Sequence, residues 1–372
     1  MVLFIKRVRL ALLIFCLVLM PAVFAFWVFY TQEIVRKSSF EFLMGKGTKK
    51  WRYVESKIDL EDVAFYKDLY DEHKDVLQNE QHTPTRIPKV IHFIWLGPKP
   101  FPTGSARNIH SWMKKHPAWV FKFWTDSDRG IPVEGMQRCS IQDLSFTHLG
   151  GLLEKTTNFG EQSDILRYEI LFQEGGVYVD HDVECMASFD SLHEGVDFYV
   201  PLEKPHLVVG IDSHIFPGIC LIGSRPLHPI LKQTLENVRA CWDQVEIDFA
   251  GHSALKVINR TFKSFVLATR KWIGQSSYID LPLPASYLFA SDLFSQKEVL
   301  SLRKKGFALG EHQWRAAWTE KKEGNQDSKI LSRVKKENRR LQKKVVVLYA
   351  SSGSLALLCS ALFYSRWKMA RR

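Results

Sequence analysis

The middle of the chain carries a helical pattern of apolar residues. Between Ser163 and Glu174 they recur at spacings of one, three and four: Ile165, Leu166, Ile170 and Leu171. Residues at these spacings share one face of a helix, so the pattern predicts a helix over 163–174 with one buried side. Gly175 and Gly176 follow and end the helix, since glycine takes the left-handed conformation that a helix end often needs.

A short strand with two acidic residues follows the glycines. Residues 177–179 are strand formers, so the strand delivers Asp180 and Asp182 to its carboxyl end, where α/β proteins place their ligands. Side chains two positions apart on a strand point the same way, and both carboxylates are therefore expected to face one point. Two oxygen donors there suit Mg²⁺ or Mn²⁺, which could clamp a diphosphate. A solvated acidic turn is the alternative for such a triplet taken alone.

Strand and helix patterns alternate over most of the chain. An apolar strand over 87–97 ends at a glycine, a helical stretch runs through Ile109 to Lys115, and a second strand follows over Val120 to Trp124. The alternation continues to about residue 320 and predicts an α/β fold, with the catalytic domain over 86–320. A charged, partly helical neck over 33–85 is predicted to lead into this domain.

Long apolar runs near both ends predict membrane-spanning helices. Residues 8–32 are predicted as a transmembrane anchor, because the uncharged stretch from Leu10 to Gln32 is long enough to cross a bilayer. That stretch exceeds the usual core of a cleaved signal peptide and lacks a clear cleavage site. Residues 345–365 have the length of a second span, although serines and a glycine interrupt them. Residues 321–344 predict a basic juxtamembrane helix, with a solvated connector helix as the alternative.

Composition and charge agree with a folded protein at a membrane. Of 372 residues, 46% are hydrophobic and 24% are charged, which excludes wholesale disorder. The net charge of +11 has no nucleic-acid recognition motif beside it, so anionic lipid headgroups match it better than DNA or RNA. We expect an integral membrane protein, of the bacterial inner membrane or, in a eukaryote, of the Golgi or endoplasmic reticulum. Basic residues flank the runs on both sides, which leaves the side of the membrane open.

Four motifs occur in an order that characterises one enzyme family. They are Ile87-Pro88-Lys89-Val90-Ile91-His92 with Ile94-Trp95, then Trp124-Thr125-Asp126, Ser163-Asp164-Ile165-Leu166-Arg167-Tyr168, and Gly175 through Asp182. On these motifs the chain resembles the Asp-x-Asp glycosyltransferases of family 32, which include inositol-phosphoceramide and outer-chain mannosyltransferases. The resemblance implies a type A glycosyltransferase fold, a Rossmann-like mixed sheet flanked by helices. It also implies transfer of a hexose from a GDP- or UDP-hexose with retention at the anomeric carbon.

The resemblance also assigns residues to the metal and to catalysis. Asp180 and Asp182 would bind Mn²⁺ or Mg²⁺. His312, which matches a late His and Trp motif of the family, would be the third metal ligand. Arg167 would act beside them in catalysis by holding phosphate or sugar.

A second group of residues is predicted to bind the nucleotide sugar. It comprises Trp95, Asp164, Arg167, Tyr168, Asp180 and Trp318. Trp95 would stack on the base, and Trp318 would donate its indole N–H to a diphosphate oxygen. Asp164 shares a helix face with Arg167, where it would bind a ribose or sugar hydroxyl. The alternatives are a core tryptophan for Trp95 and a local salt bridge on a solvated helix for the Asp164–Arg167 pair.

These features together predict a membrane-anchored, metal-dependent retaining glycosyltransferase whose acceptor is membrane-associated, lipid or glycan. Two alternatives belong to other classes of protein. A haloacid-dehalogenase-type phosphatase would use Asp180 as nucleophile and Asp182 as acid, although no later motif with paired aspartates follows. A catalytically inactive membrane tether would keep only the fold, although the acidic residues and Arg167 are intact.

Overall fold

The computed structural model describes residues 20, 23, 37–78, 85–275 and 277–313. Most of the predicted anchor over 8–32 lies outside the described residues, as do the predicted helices over 321–344 and 345–365 and the side chain of Trp318. The described helices include none that is long and apolar enough to cross a membrane. The predictions for the two ends of the chain therefore stay predictions.

Within the described residues, seven strands form one mixed sheet and two more form a small second sheet. Their bounds are β1 Val90–Ile94, β2 Val120–Thr125, β3 Gln137–Ser140, β4 Gly176–Val179, β5 Val183–Cys185, β6 Phe198–Pro201, β7 Leu221–Ser224, β8 Asp280–Leu283 and β9 Gly310–His312. The large sheet has the order β3-β2-β1-β4-β7-β6-β8. β7 runs antiparallel to both of its neighbours, and the other pairs are parallel. The carboxyl ends of all strands but β7 therefore meet at one edge, and the α/β prediction is confirmed.

Helices connect the strands. Their bounds are α1 Phe40–Leu43, α2 Lys57–His73, α3 Thr103–Lys115, α4 Phe159–Glu174, α5 Asp190–Gly195, α6 Pro229–Asp248, α7 Ser253–Val257, α8 Lys263–Trp272, α9 Ser286–Leu293 and α10 Gln296–Lys304. A π-helical turn, Ile258–Phe262, joins α7 to α8. Short 3-10 helices cover Lys49–Tyr53, Lys74–Gln78, Ile141–Asp143 and Leu153–Lys155. The helical stretch predicted to end at Lys115 is α3, and the two strands predicted before and after it are β1 and β2.

Helices of the predicted neck pack on the domain. α1 and α2 both belong to this segment, and the hydroxyl of Tyr70 on α2 lies 3.0 Å from that of Tyr287 on α9. Asp62 of α2 also pairs with Arg270 of α8 at 2.9 Å. Residues 37–78 are therefore partly helical and pack against the domain that contains the sheet.

α4 and β4 meet at the two glycines that the sequence singled out. α4 begins one turn earlier than predicted, because the side chain of Asn158 caps its first amides. It ends at Glu174, as predicted, and Gly175 and Gly176 follow with φ of 66° and 96°. A Cβ at Gly176 would lie 2.6 Å from the carbonyl oxygen of Val90 on β1, so glycine is required. This junction seats β4 beside β1 and fixes where the next residues lie.

Candidate active site

The two aspartates follow β4 and are brought together by a turn. Asp180 is the first residue beyond the strand, and its amide donates to the carbonyl oxygen of Cys220 at 2.8 Å. The amide of Val183 donates back to the carbonyl oxygen of Asp180 at 3.1 Å, which closes a turn containing His181 and Asp182. The predicted position at the strand's carboxyl end is confirmed. The predicted reason is wrong, because the carboxylates converge through this turn and not through strand alternation.

His312 reaches the aspartates from a distant position in the sequence. β9 pairs with β5 so that His312 lies opposite Val183, and the amide of Gln313 donates to the carbonyl oxygen of Asp182 at 3.0 Å. The imidazole Nε2 lies 3.2 Å from Asp182 Oδ1. Burial by itself would lower the pKa of His312, but the hydrogen bond and charge of Asp182, with the charge of Asp180, raise it. The structure thus brings His312 to the aspartates.

Asp180, Asp182 and His312, called here the metal-binding group, fit a divalent cation. One possible ligand atom from each residue lies within 4.8 Å of the others. Asp182 and His312 are largely buried, whereas Asp180 is more accessible. Two carboxylate oxygens and one imidazole nitrogen suit a first-row ion such as Mn²⁺ better than they suit Mg²⁺. The predicted ion is therefore compatible with the donor atoms that converge here.

Arg167 is buried against this group. Its side chain is 6% exposed, and Nη2 lies 2.5 Å from Asp164 Oδ1. Nη1 donates to the carbonyl oxygen of Ile219 at 2.7 Å and lies 3.5 Å from Asp180 Oδ1, while the guanidinium lies over the ring of Tyr178. Burial opposes the charged form, but the charge of Asp164 and its neighbours raises the pKa of Arg167, so it stays charged. The alternative of a salt bridge on a solvated helix surface is wrong for this pair.

Tyr178 belongs to the site, although its sequence position predicted only a strand residue. Its hydroxyl donates to Asp180 Oδ1 at 2.6 Å. Burial raises the pKa of Tyr178 well above its usual value, and the charge of Asp180 adds to the rise, so the hydroxyl remains a donor. A usable signal existed, because residues two apart at the end of a strand tend to share a face.

The π-helical turn holds Asp164. Thr261, within this turn, donates its hydroxyl to Asp164 Oδ2 at 2.7 Å. Burial raises the pKa of Asp164 to about 6, and the charge of Arg167 opposes that rise. π-helical turns are rare and are frequent at functional sites. Thr261 was also missed, because no spacing in the sequence indicates this irregular turn.

Trp95 lies at the carboxyl end of β1, near the aspartates. Its ring meets the ring of His181 edge to face, with centroids 5.1 Å apart, and its Nε1 donates to the carbonyl oxygen of Lys99. A cleft of about 510 Å³ begins two residues later and is lined by Gly97, Pro98, Pro100, Asp126, Ser127, Arg129 and Phe159. The structure therefore puts Trp95 beside an open cleft and next to the Asp-x-Asp turn.

One of the predicted donor-binding residues, Tyr168, is part of the core. Tyr168 has no exposed surface, and its ring stacks on Phe265 with centroids 5.5 Å apart. Successive residues of a helix are rotated by about 100°, so the position after Arg167 faces a different direction and enters the core. A direct contact between Tyr168 and a nucleotide is therefore not supported. Trp318 lies outside the described residues.

Comparison with known proteins identifies the central region of the chain. Residues 102–199 match the family described as a glycosyltransferase sugar-binding region containing the DXD motif. The chain is 31% identical over 120 residues to Subversion of eukaryotic traffic protein A of Legionella pneumophila, covering 28% of this chain and 18% of that protein. It is 26% identical over 156 residues to inositol phosphoceramide mannosyltransferase 1 of Schizosaccharomyces pombe, covering 41% of this chain and 43% of that protein. The matched region spans less than half the length of either relative.

A solved structure, the PaToxG glycosyltransferase, aligns with 66% of this chain and 87% of its own at 18% identity and a TM-score of 0.40. The family match and the curated relatives confirm the resemblance that the four sequence motifs indicated. They also agree with the predicted class of enzyme over the matched region. Residues 102–199 of this chain are thus similar to the DXD-containing sugar-binding region of a glycosyltransferase family.

Proposed function

We propose that this protein is a metal-dependent glycosyltransferase of the type A fold that transfers a hexose from a GDP- or UDP-hexose with retention at the anomeric carbon. The observation that carries the proposal is the convergence of Asp180, Asp182 and His312, with ligand atoms within 4.8 Å, at the carboxyl edge of the sheet. The match to a sugar-binding region supports the reaction class. The fold type and the retention rest on the resemblance of the sequence motifs.

The residues around Asp180 prepare the site for a diphosphate. A bound divalent ion would neutralise the negative charge that develops on the leaving diphosphate. Tyr178 and Arg167 both contact Asp180 Oδ1 and so fix the orientation of its carboxylate. Arg167 is itself held by Asp164 and by the carbonyl oxygen of Ile219, so it loses little freedom when a donor binds. Its Nε–H is buried and has no hydrogen-bond partner among the described residues.

The nucleoside of the donor would lie in the cleft beside Trp95. This cleft follows the ends of β1 and β2, and β1 is the neighbour of β4 in the sheet. A nucleoside joined to a diphosphate at Asp180 would therefore reach the cleft without crossing another strand. Trp95 supplies apolar area for stacking on the base, while Asp126 and Arg129 supply polar groups at its edge.

We also propose that the acceptor is membrane-associated, either a lipid or a glycan. A relative that aligns with 41% of this chain is named for mannose transfer to inositol phosphoceramide. The predicted spans over 8–32 and 345–365 would hold the domain at a membrane, the bacterial inner membrane or the Golgi or endoplasmic reticulum. Such tethering would raise the local concentration of a membrane acceptor.

The two alternatives from other classes are less well supported. The family match names a sugar-binding region, which argues for a transferase over a phosphatase. Both aspartates and His312 also keep ligand distance, which a binding-only tether would not require. The geometry thus supports metal-dependent sugar transfer best.

A panel of UDP- and GDP-hexoses, incubated with the full-length protein and Mn²⁺, tests the proposal. We expect Mn²⁺-dependent release of sugar from one of them and, when membrane lipids are added, transfer of the sugar to the lipid fraction with its anomeric configuration kept. A preference for phosphomonoesters over nucleotide sugars would support the phosphatase. No reaction with either class of substrate would support the tether.

A further inference from the structure

Glu203 is a buried carboxylate that the mechanism above does not use. It lies two residues beyond β6, and 7% of its surface is exposed. Its Oε2 atom is buried and has no hydrogen-bond partner among the described residues. A buried acceptor without a hydrogen-bond donor costs free energy, so the surroundings of Glu203 need an explanation.

A single short segment, residues 218–220, contacts Glu203 as well as Arg167 and Asp180. The glycine that begins it packs so closely on Glu203 that a Cβ there would lie 2.8 Å from Oε1. The next two carbonyl oxygens accept hydrogen bonds from Arg167 at 2.7 Å and from the amide of Asp180 at 2.8 Å. Glu203 and Asp180 therefore both lie next to this segment, and the charge of Glu203 also acts on His312.

The order of the strands indicates which part of a bound nucleotide sugar would lie near Glu203. Trp95 and its cleft follow β1 and β2, the aspartates follow β4, and Glu203 follows β6 on the far side of β7. Neighbouring strands are about 4.8 Å apart, so β4 and β6 are separated by roughly 10 Å. With the base on the β1 side and the diphosphate at β4, the sugar of a nucleotide sugar extends toward β6.

The chemistry of Glu203 fits a sugar and not a phosphate. A carboxylate accepts hydrogen bonds and repels anions, and hydroxyl groups are the donors that a hexose offers in number. Burial raises the pKa of Glu203 to about 7, opposed by the charges of His312 and Lys204. The surroundings of this carboxyl group therefore disfavour its charged form. A hydroxyl group that donates a hydrogen bond to the carboxylate would stabilise that form.

We propose that Glu203 is a sugar-binding residue, whose carboxylate accepts a hydrogen bond from a ring hydroxyl of the hexose to be transferred. The proposal rests on the proposed function and adds to it a residue that recognises the sugar and not the nucleotide. It separates two parts of the donor: the metal-binding group holds the diphosphate, and Glu203 holds the hexose.

The test compares two ligands in two matched pairs of variants. Affinities for the UDP- or GDP-hexose that the wild type hydrolyses, and for the bare UDP or GDP, are measured with Mn²⁺ by calorimetry. Glu203→Leu removes both oxygens at similar volume, and Glu203→Gln keeps one weaker acceptor. Glu169→Gln is the matched control, because Glu169 is a second buried carboxylate whose Oε2 has no hydrogen-bond partner among the described residues, and it binds Thr147 on another face of α4.

We expect Glu203→Leu to weaken binding of the nucleotide hexose on the order of 10- to 100-fold and Glu203→Gln about tenfold, with binding of the bare nucleotide unchanged. Glu169→Gln should change neither affinity. Equal affinities for the nucleotide hexose in wild type and Glu203→Leu would overturn the proposal, as would equal losses for both ligands. If Glu203→Leu does not fold, Glu203→Gln decides by the same criteria. A wild type that binds neither ligand with Mn²⁺ would overturn the proposed function and this proposal together.

Discussion

Arg167 and Arg260 are both buried arginines that bind carboxylates of α4. Arg167 pairs with Asp164 at 2.5 Å, and Arg260 pairs with Glu161, one turn earlier, at 2.7 Å. Each guanidinium also lies over an aromatic ring, with its carbon 4.1 Å and 3.9 Å from the two ring centroids. In each arginine the Nε–H has no hydrogen-bond partner among the described residues. Judged by these contacts the two clusters are alike.

The second carboxylate of each arginine distinguishes them. Arg260 reaches Glu246 at 2.8 Å, and the Glu246 side chain is 53% exposed, so this cluster ends at solvent. Arg167 reaches Asp180, which belongs to the metal-binding group. A buried arginine with a carboxylate is therefore no sign of a site by itself. The second carboxylate that each arginine contacts indicates whether the arginine serves the fold or the chemistry of the site.

The largest effect is expected at two buried Asp–His pairs. One pair belongs to the metal-binding group and the other does not, as with the two arginines. Asp182 pairs with His312 at 3.2 Å, and Asp280 pairs with His228 at 3.1 Å. Asp182→Asn removes a charge from the metal-binding group at constant size and should reduce Mn²⁺-dependent donor hydrolysis more than about 100-fold, since even the partners of metal ligands are worth about 10- to 100-fold. Asp280→Asn, the matched control, should lower Tm and leave kcat/KM per folded molecule unchanged. Similar losses of kcat/KM in both variants would show that the two Asp–His pairs do not differ in function.

The next largest effect is expected from lysine substitutions of the two arginines. Lysine keeps the charge but not the planar fork, so Arg167→Lys and Arg260→Lys should each destabilise the fold by about 1.5–3 kcal/mol, measured by urea unfolding. Only Arg167→Lys should also reduce kcat/KM for donor hydrolysis, by about 10- to 150-fold. A buried arginine carries this stability cost, whereas an arginine in a surface ion pair would not.

The outcome that breaks this comparison is specific. If Arg260→Lys loses as much kcat/KM per folded molecule as Arg167→Lys, the two clusters act alike and proximity to Asp180 is irrelevant. If neither loses activity, Arg167 serves only the fold. Unfolding curves and hydrolysis rates should be collected on the same preparations, so that a smaller folded fraction is not mistaken for slower chemistry.

The last effect concerns Glu203, a buried carboxylate whose Oε2 has no hydrogen-bond partner among the described residues. The folded-state pKa of Glu203, about 7, lies above its usual 4.5, so protonation favours the folded protein. That contribution is complete below pH 4.5 and is lost as the pH rises through 7. The wild type should therefore lose up to about 3 kcal/mol of unfolding free energy relative to Glu203→Leu between pH 4.5 and pH 8. A difference between the two proteins that stays constant with pH would show that Glu203 does not titrate in this range.

Local patterns in the sequence were enough to locate the centre of the site. α4, the two glycines, β4 and the position of Asp180 follow from periodicity and from the backbone freedom of glycine, which depend on neighbours in the chain. His312 was predicted from the family resemblance and not from a local pattern, because its position depends on pairing between β5 and β9, about 130 residues apart. Contacts that are distant in the sequence leave no local period.

Other features depend on packing that no local pattern describes. Thr261 contacts Asp164 through a π-helical turn, and Glu203 approaches the site only because β6 lies beyond β7 in the sheet. The burial of Arg167 could not be read from its helix face either, because a charged side chain on a helix is usually solvated. For Tyr168 the motif predicted contact with the nucleotide sugar, but the direction of this position on the helix buries the side chain in the core.

The central claim is that the metal-binding group holds a divalent ion on which donor binding depends. The most direct test is the affinity of the full-length protein for UDP and GDP, measured by calorimetry with Mn²⁺ and again after treatment with EDTA. We expect one nucleotide to bind with Mn²⁺, to lose its binding with EDTA, and to regain it when excess Mn²⁺ is restored. Nucleotide binding of equal strength with Mn²⁺ and with EDTA would contradict the claim.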